Sequence, residues 1–337
     1  MRNVATLPAA DRRALFANTA SKTGLTDAII EKDFWVCWTL DYLFHRSAWK
    51  KHLAFKGGTS LSKAFQLIER FSEDLDLVLD WRLLGYDMDE PWAQRSKTQQ
   101  ARFNDEANRR TADFLREKFV VAMQVDISSE LGVDVEIKPD TGDEHTILFK
   151  YPQEFSSQSI LQEIRLEIGT LAVWSPSIWK NITPYSAEQY PHIFSSPTTN
   201  VLTVQPIRTF WEKATILHQE ANRPNDSVIP LRYSRHYYDL YRLSESWVKK
   251  AALSDLEMLR QVSVFKEKFY PRGWARYDNA RPGSMKLMPP QHSLDILEDD
   301  YKHMQNMLFN NKPSFSMLME GLLVLEREIN SKISNAD

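Results

Sequence analysis

A single cysteine, Cys37, occurs among 337 residues, so no internal disulfide can staple the fold, and no Cys/His set has the spacing of a zinc site. Cys37 lies among Trp35, Val36 and Trp38, an apolar setting that reads as a buried structural thiol rather than a nucleophile. No uninterrupted apolar run reaches the ~18 residues that a membrane-spanning helix needs. Arg12 and Arg13 are not followed by the apolar core of a secretory signal, so a cytoplasmic protein is expected. A strong charge of one sign is missing too. The net charge is only −3, which gives no global argument for nucleic acid and leaves local patches to decide. There is no internal repeat and no low-complexity tract. What is present is 42% hydrophobic side chains, enough for one large core or two smaller ones.

Residues 8–48 read as helical: Ile30, Phe34, Trp38 and Tyr42 recur at every fourth position, as one buried helix face does. His52 to Phe55 is short and extended, Gly57-Gly58 breaks it, and Leu61, Ala64, Phe65 and Ile68 predict a helix running up to Arg70. Asp74 to Asp80 alternates strictly. Leu75, Leu77 and Leu79 take one face, and Asp74, Asp76, Val78 and Asp80 the other. A charged amphipathic helix is predicted over 97–119, and strands of a mixed sheet over 120–126, 132–138, 145–150 and 161–168. Pro176, Pro184, Pro191 and Pro197 mark an irregular connection. Beyond Pro206 the pattern is helical apart from 271–290. Two domains are expected, 1–205 with N-terminal helices and a catalytic core, and a helical 206–337.

Two carboxylates at i and i+2 of a strand project from the same face, near enough to share divalent cations, as phosphoryl chemistry requires. Exposed strands often carry acids, so the pair alone says little. Gly57 and Gly58 add that the backbone can approach a phosphate closely at the start of a helix. Thr59 or Ser60 can equally well cap that helix. The turn lacks the Gly-Lys-Ser/Thr ending of a P-loop, which sets a kinase aside.

Glu31-Lys32-Asp33, Phe55-Lys56-Gly57-Gly58-Thr59-Ser60-Leu61 and Glu69-Arg70-Phe71-Ser72-Glu73-Asp74-Leu75-Asp76 together resemble the AbiEii/MenT-like nucleotidyltransferase toxin family, within the DNA polymerase β-type superfamily. The resemblance continues in Arg208-Thr209-Phe210-Trp211-Glu212-Lys213, Arg235-His236-Tyr237-Tyr238-Asp239-Leu240 and Asp300-Tyr301-Lys302-His303-Met304. It implies an α+β fold: a polymerase β-type core with a mixed sheet, plus a mainly helical C-terminal domain. Lys56, Gly57, Gly58, Thr59 and Ser60 would hold nucleotide phosphates, and Asp74 and Asp76 would bind Mg2+ or Mn2+. Glu167 is the favoured third carboxylate, with Asp134 and Glu136 as alternatives. Ser72 would touch a phosphate or cap the strand. Arg70 would pair with the acids, contact phosphate, or simply end a helix. Lys213 would bind the triphosphate, and Asp239 would contact base, sugar or an active-site lysine. Without the family, Lys213 and Asp239 read as surface helix charges. The implied partners are a nucleoside triphosphate, a cognate antitoxin and an acceptor, with the tRNA 3′ end preferred and protein left open.

Lys266, Lys268, Arg272, Arg276 and Arg281 interleave with Phe269, Tyr270, Trp274 and Tyr277, as a surface for RNA backbone and bases does; aromatics packing a loop explain the same pattern. Arg109, Arg110, Arg116 and Lys118 read as a solvated helix face. Two rival functions follow. Asp134-Val135-Glu136-Ile137-Lys138 resembles the acid-x-Lys strand of metal-dependent nucleases but leaves the glycine turn unused. A non-catalytic nucleotide- or RNA-binding protein is the other.

Overall fold

The computed structural model describes residues 1–72, 74–157, 160–171, 175–310 and 312–332. The chain forms two compact units: Met1–Ala64 with Ser72–Val204, and Phe65–Phe71 with Gln205–Asp337.

The first unit is built on one mixed sheet. Its strands are β1 (Leu53–Lys56), β2 (Asp74–Leu79), β3 (Glu136–Pro139), β4 (Thr146–Lys150), β5 (Ile164–Gly169), β6 (Ser177–Ile182) and β7 (Thr199–Val204), in the spatial order β3-β4-β5-β2-β1-β7-β6. β2 runs antiparallel to β1 and parallel to β5. The leucine alternation of β2 works as its period dictates: Leu75, Leu77 and Leu79 are fully buried, and Asp74 and Asp76 are half-buried on the opposite face. The helix Asp27–Asp41 is buried nearly all round, from Ala28 to Leu40, and packs on β5 and β7. Its Trp35 and Trp38 rings meet Phe149 of β4.

Three consecutive charges of that helix are buried, and each ties down a distant segment. Glu31 accepts from the Glu154 and Phe155 N–H groups, Lys32 donates to the Leu161 carbonyl, and Asp33 pairs with Lys63 at 2.8 Å. Buried charges persist only when partnered in this way.

Several expected elements change. The helix after the glycine turn spans only Gly57–Lys63; Gln66 adopts a left-handed φ of 54°, and Arg70 forms an antiparallel bridge with Leu308. Residues 120–126 are not a strand but part of the helix Val120–Leu131, which buries Met123 and Ile127 at helical spacing and ends at left-handed Gly132. Its valines favour strand locally, yet Val121 and Val125 remain exposed. β3 is confined to Glu136–Pro139, and the proline-marked connection contains β6 and β7, with Pro176 and Pro184 outside the strands they flank.

In the second unit the helix Pro206–Ala221 is central. It buries Arg208, Phe210, Trp211, Lys213 and Leu217, and packs against the helices Ser234–Ser244, Trp247–Leu253 and Leu256–Phe269. Among the described residues no helix is long and apolar enough to cross a membrane.

Candidate active site

In the first unit the glycine turn and the acid pair are brought together by strand register. Lys56 of β1 is the partner of Asp76 on β2, so the chain turns into the Gly57–Lys63 helix directly beside the Asp76 carboxylate. Gly57 has φ +78°, and a Cβ added there would lie 1.8 Å from Asp76 Oδ2 and 2.4 Å from its Cγ. No side chain fits. The carboxylate thus lies in a cradle that only glycine leaves open.

Thr59 and Ser60 are buried, and their hydroxyls are used within the turn: Thr59 donates to the Asp74 carbonyl at 2.6 Å, and Ser60 to the Gly57 carbonyl at 2.8 Å. The Thr59 bond holds the acid strand against the turn, and the Ser60 bond closes the turn on itself. Backbone N–H groups at the start of a helix lack intrahelical acceptors, so Gly57 and Gly58 keep the donor character that a phosphate needs. The opposite end of this helix is fixed by the buried Lys63–Asp33 pair. Ser72 is half-buried ahead of β2, and Glu73 lies outside the described residues.

Across the other edge of β2, Asp74 faces Arg165 and Asp76 faces Glu167 in register. Register therefore sets Glu167 on the same face as the acids. Among the described residues, however, no three carboxylate, imidazole or thiolate groups gather as a metal cluster. Arg165 was not foreseen. Its Nε is 3.6 Å from Asp74 Oδ1 and its Nη1 is 2.9 Å from Asp140 Oδ2. Burial opposes its charge, but Asp140, Asp74 and Glu167 together hold the guanidinium above its usual pKa. The alternation that singles out Glu167 also puts Arg165 on the same face, and this was the available signal.

The alternatives Asp134 and Glu136 do not join this group. Asp134 is exposed, and Glu136 lies on edge strand β3, paired with both Lys138 and Lys150, which push its carboxyl down to about 2. The acid-x-Lys strand of the nuclease reading is thus a solvated ion-pair group.

The second unit holds a different cluster. Asp239 is fully buried and receives a fork from Arg70, Nε to Oδ1 at 2.7 Å and Nη2 to Oδ2 at 2.9 Å, and also pairs with Lys213 at 2.9 Å. Lys213 Nζ is 2.9 Å from His236 Nδ1. The reading of Lys213 and Asp239 as surface charges is therefore corrected: both are buried, and Asp239 contacts the lysine. Arg70 ends no helix, and its fork is taken up by Asp239. Burial raises the Asp239 pKa, yet Arg70 and Lys213 outweigh it and hold the carboxyl well below the carboxylate range. Burial pulls Lys213 below the usual lysine range, with Asp239 opposing and Arg70 adding. Burial, then Lys213, push the His236 pKa far down, and its Nδ1 accepts a hydrogen bond from Lys213 Nζ. His236 was also missed, although its i, i+3 spacing from Asp239 places the two on one helix face.

The expected RNA surface divides. Phe269 and Tyr277 are buried in the helical core, with the Tyr277 hydroxyl donating to Gln219, and Lys266 donates to the Glu212 carbonyl. Lys268 is half-buried, whereas Tyr270, Arg272 and Arg276 are exposed. Arg109, Arg110 and Arg116 form surface pairs with Glu106 and Asp113.

A mixed sheet carrying a glycine turn against paired aspartates is an arrangement suited to nucleotidyl transfer. The model of the family described as nucleotidyl transferase AbiEii toxin, type IV toxin–antitoxin system, matches residues 40–321, and the chain belongs to that family. Among solved structures it is similar to MenT4, a nucleotidyltransferase toxin of Mycobacterium tuberculosis H37Rv, at 14% identity and TM-score 0.51, covering 96% of this chain and 90% of that one. JHP933 from Helicobacter pylori is a looser match, 15% identical, with TM-score 0.42 and coverage of 90% and 92%. No curated protein sequence matches the chain.

Proposed function

We propose that this nucleotidyltransferase is metal-dependent and moves a nucleotide from a nucleoside triphosphate to an RNA acceptor such as the tRNA 3′ end, acting as the toxin of its toxin–antitoxin system. In that reaction an acceptor hydroxyl attacks the α-phosphorus, a new P–O bond forms as the α–β phosphoanhydride bond breaks, pyrophosphate leaves, and the hydroxyl proton passes to solvent. The observation that carries the reading is the contact between Gly57 and Asp76, which joins a phosphate-accessible turn to a metal-suited acid in one site.

The donor set fits a hard cation. Asp74 and Asp76 offer oxygen ligands from one strand face, as Mg2+ or Mn2+ requires, with Glu167 as a third candidate by register. A divalent ion held there would neutralise phosphate charge and polarise the attacked phosphorus. The remaining roles belong to the chain. The backbone of Lys56, Gly57 and Gly58 would receive the phosphates, Thr59 would keep the turn against Asp74 and Ser60 would brace the turn itself, and Ser72 would stand at the approach to β2. Lys213 would supply positive charge for the triphosphate, with Asp239 and Arg70 orienting it. Arg272 and Arg276, exposed beside Tyr270, would contact the RNA backbone, with Lys266 and Lys268 adding field.

The testing experiment supplies each of the four labelled triphosphates with Mg2+ or Mn2+ to total RNA and protein. Labelled or lengthened RNA is expected; shortened RNA, or label in protein alone, contradicts the reading.

A further inference from the structure

The first unit has an open depression of about 410 Å³ lined by Phe44, His45, Lys50, Lys51, Trp179 and Leu202, which none of the assigned residues uses. Its floor is apolar, its wall is Trp179, half exposed on edge strand β6, and its rim carries His45, Lys50 and Lys51, all exposed. None of the lining residues is acidic. His45 Nε2 is 2.7 Å from the Asn200 carbonyl, which fixes the ring at the rim.

Strand register relates this depression to the acid pair. Trp179 is the partner of Leu202, whose neighbour Thr203 is the partner of Phe55; Phe55 in turn is the partner of Leu77. Thr203, Phe55 and Leu77 share one face, so Trp179 and Leu202 share the other with Lys56, Asp74 and Asp76. The packing of Ala54, Val78 and Val204 together on that face agrees. β6 is three strand spacings from β2, about 14 Å across the sheet.

We infer that this depression is a subsite for the single-stranded end of the RNA acceptor: one unstacked base lies on Trp179, and the flanking phosphates meet Lys50 and Lys51. An exposed indole beside two exposed cations, one of them resting on the His45 carbonyl at 3.3 Å, with no acid among the lining residues, is the combination that binds single strands without reading sequence. Register puts Ser177 level with Asp76 and Trp179 two residues, about 7 Å, further along, so the depression suits an anchor that holds the strand a few nucleotides before the terminal hydroxyl offered to the acid pair. The inference rests on the proposed RNA acceptor and adds where its single-stranded end is held.

The test measures binding of a fluorescent oligouridylate of roughly 12 nucleotides, a length matched to single-strand sites. Full-length wild type, Trp179→Ala, Trp179→Phe and the double variant Lys50→Ala/Lys51→Ala are compared between about 50 and 200 mM salt. Trp179→Ala is expected to weaken binding about tenfold or more, with Trp179→Phe restoring most of it. The lysine variant should lower the log–log salt slope by about 1.4, two phosphates at ~0.7 each. Because all three side chains are exposed, the variants should fold.

Wild-type affinity and slope in Trp179→Ala and in the lysine variant overturn the subsite; if wild type still labels RNA, the proposed transfer stands without it. Labelling of protein alone, with no oligonucleotide bound, removes the acceptor class and the subsite with it. Protection of the β6 amides from hydrogen exchange by purified antitoxin, but not by the oligonucleotide, assigns this face to a protein partner and likewise overturns the inference.

Discussion

The Asp74/Asp76 pair and the Arg70–Asp239–Lys213–His236 cluster both concentrate charge, but in opposite ways. The first acids are half-buried at the start of β2, and their placement is set by strand register and the Gly57 cradle. The second cluster is buried, with its anion and cations in direct contact. Acids held by backbone geometry can accept an external cation without unfolding anything, whereas a buried cluster depends on every member for the stability of all. Substitutions in the first region should therefore remove activity and spare the fold, whereas substitutions in the second should remove activity and destabilise the fold as well.

The largest effect expected is at Asp239. Asp239→Ala leaves Arg70 and Lys213 buried without their carboxylate and should cost about 3–5 kcal/mol in urea unfolding. A loss under about 1 kcal/mol would show that the cluster is not a structural unit. Replacing Lys213 with methionine in the same background should recover part of the loss, since one stranded charge is removed.

Asp74→Asn or Asp76→Asn should reduce transfer at least a hundredfold, in the range of lost transition-state charge stabilisation, while the thermal midpoint stays nearly unchanged. Unfolding of these variants would erase the contrast between the regions. Gly57→Ala tests the cradle itself. Its left-handed φ costs about 1–2 kcal/mol, and the Cβ must displace the Asp76 carboxylate. Transfer should fall about tenfold in protein that remains folded; activity lost only in proportion to the unfolded fraction would argue against the cradle.

The smallest effect is in pH dependence. Burial raises the Glu31 pKa from 4.5 to about 7, with the Glu154 and Phe155 N–H groups opposing. A carboxyl whose folded pKa is raised contributes stability that is fully present below its unfolded value and is lost as pH rises through the folded one. The thermal midpoint should thus carry a component that declines between pH 4.5 and 7, and Glu31→Gln should flatten it. An unchanged profile in that variant would assign the decline elsewhere.

These contrasts explain what could be read from the sequence. The β2 alternation and the Gly57-Gly58 break are local patterns, and both appear in the structure where expected. The Asp74–Arg165 approach and the burial of Asp239 depend on partners far along the chain: Arg70 and Asp239 are 169 residues apart. Periodicity carries no information at that range. β6 was hidden for another reason. Its residues Ile178 and Trp179 are exposed on an edge and its flanks carry prolines, so the alternation that reveals a half-buried strand is absent. The aromatics after Lys266 divide in a way that spacing does not disclose: Phe269 and Tyr277 serve the core, whereas Tyr270 stays exposed.

The measurement that bears most directly on the central claim is transfer of labelled nucleoside triphosphates to RNA by wild type and Asp76→Asn, with and without a chelator, alongside the thermal midpoint of each. The account predicts labelling by wild type that chelation abolishes, none by a variant that melts at nearly the wild-type temperature. Labelling that survives both chelation and loss of the Asp76 carboxylate would contradict it.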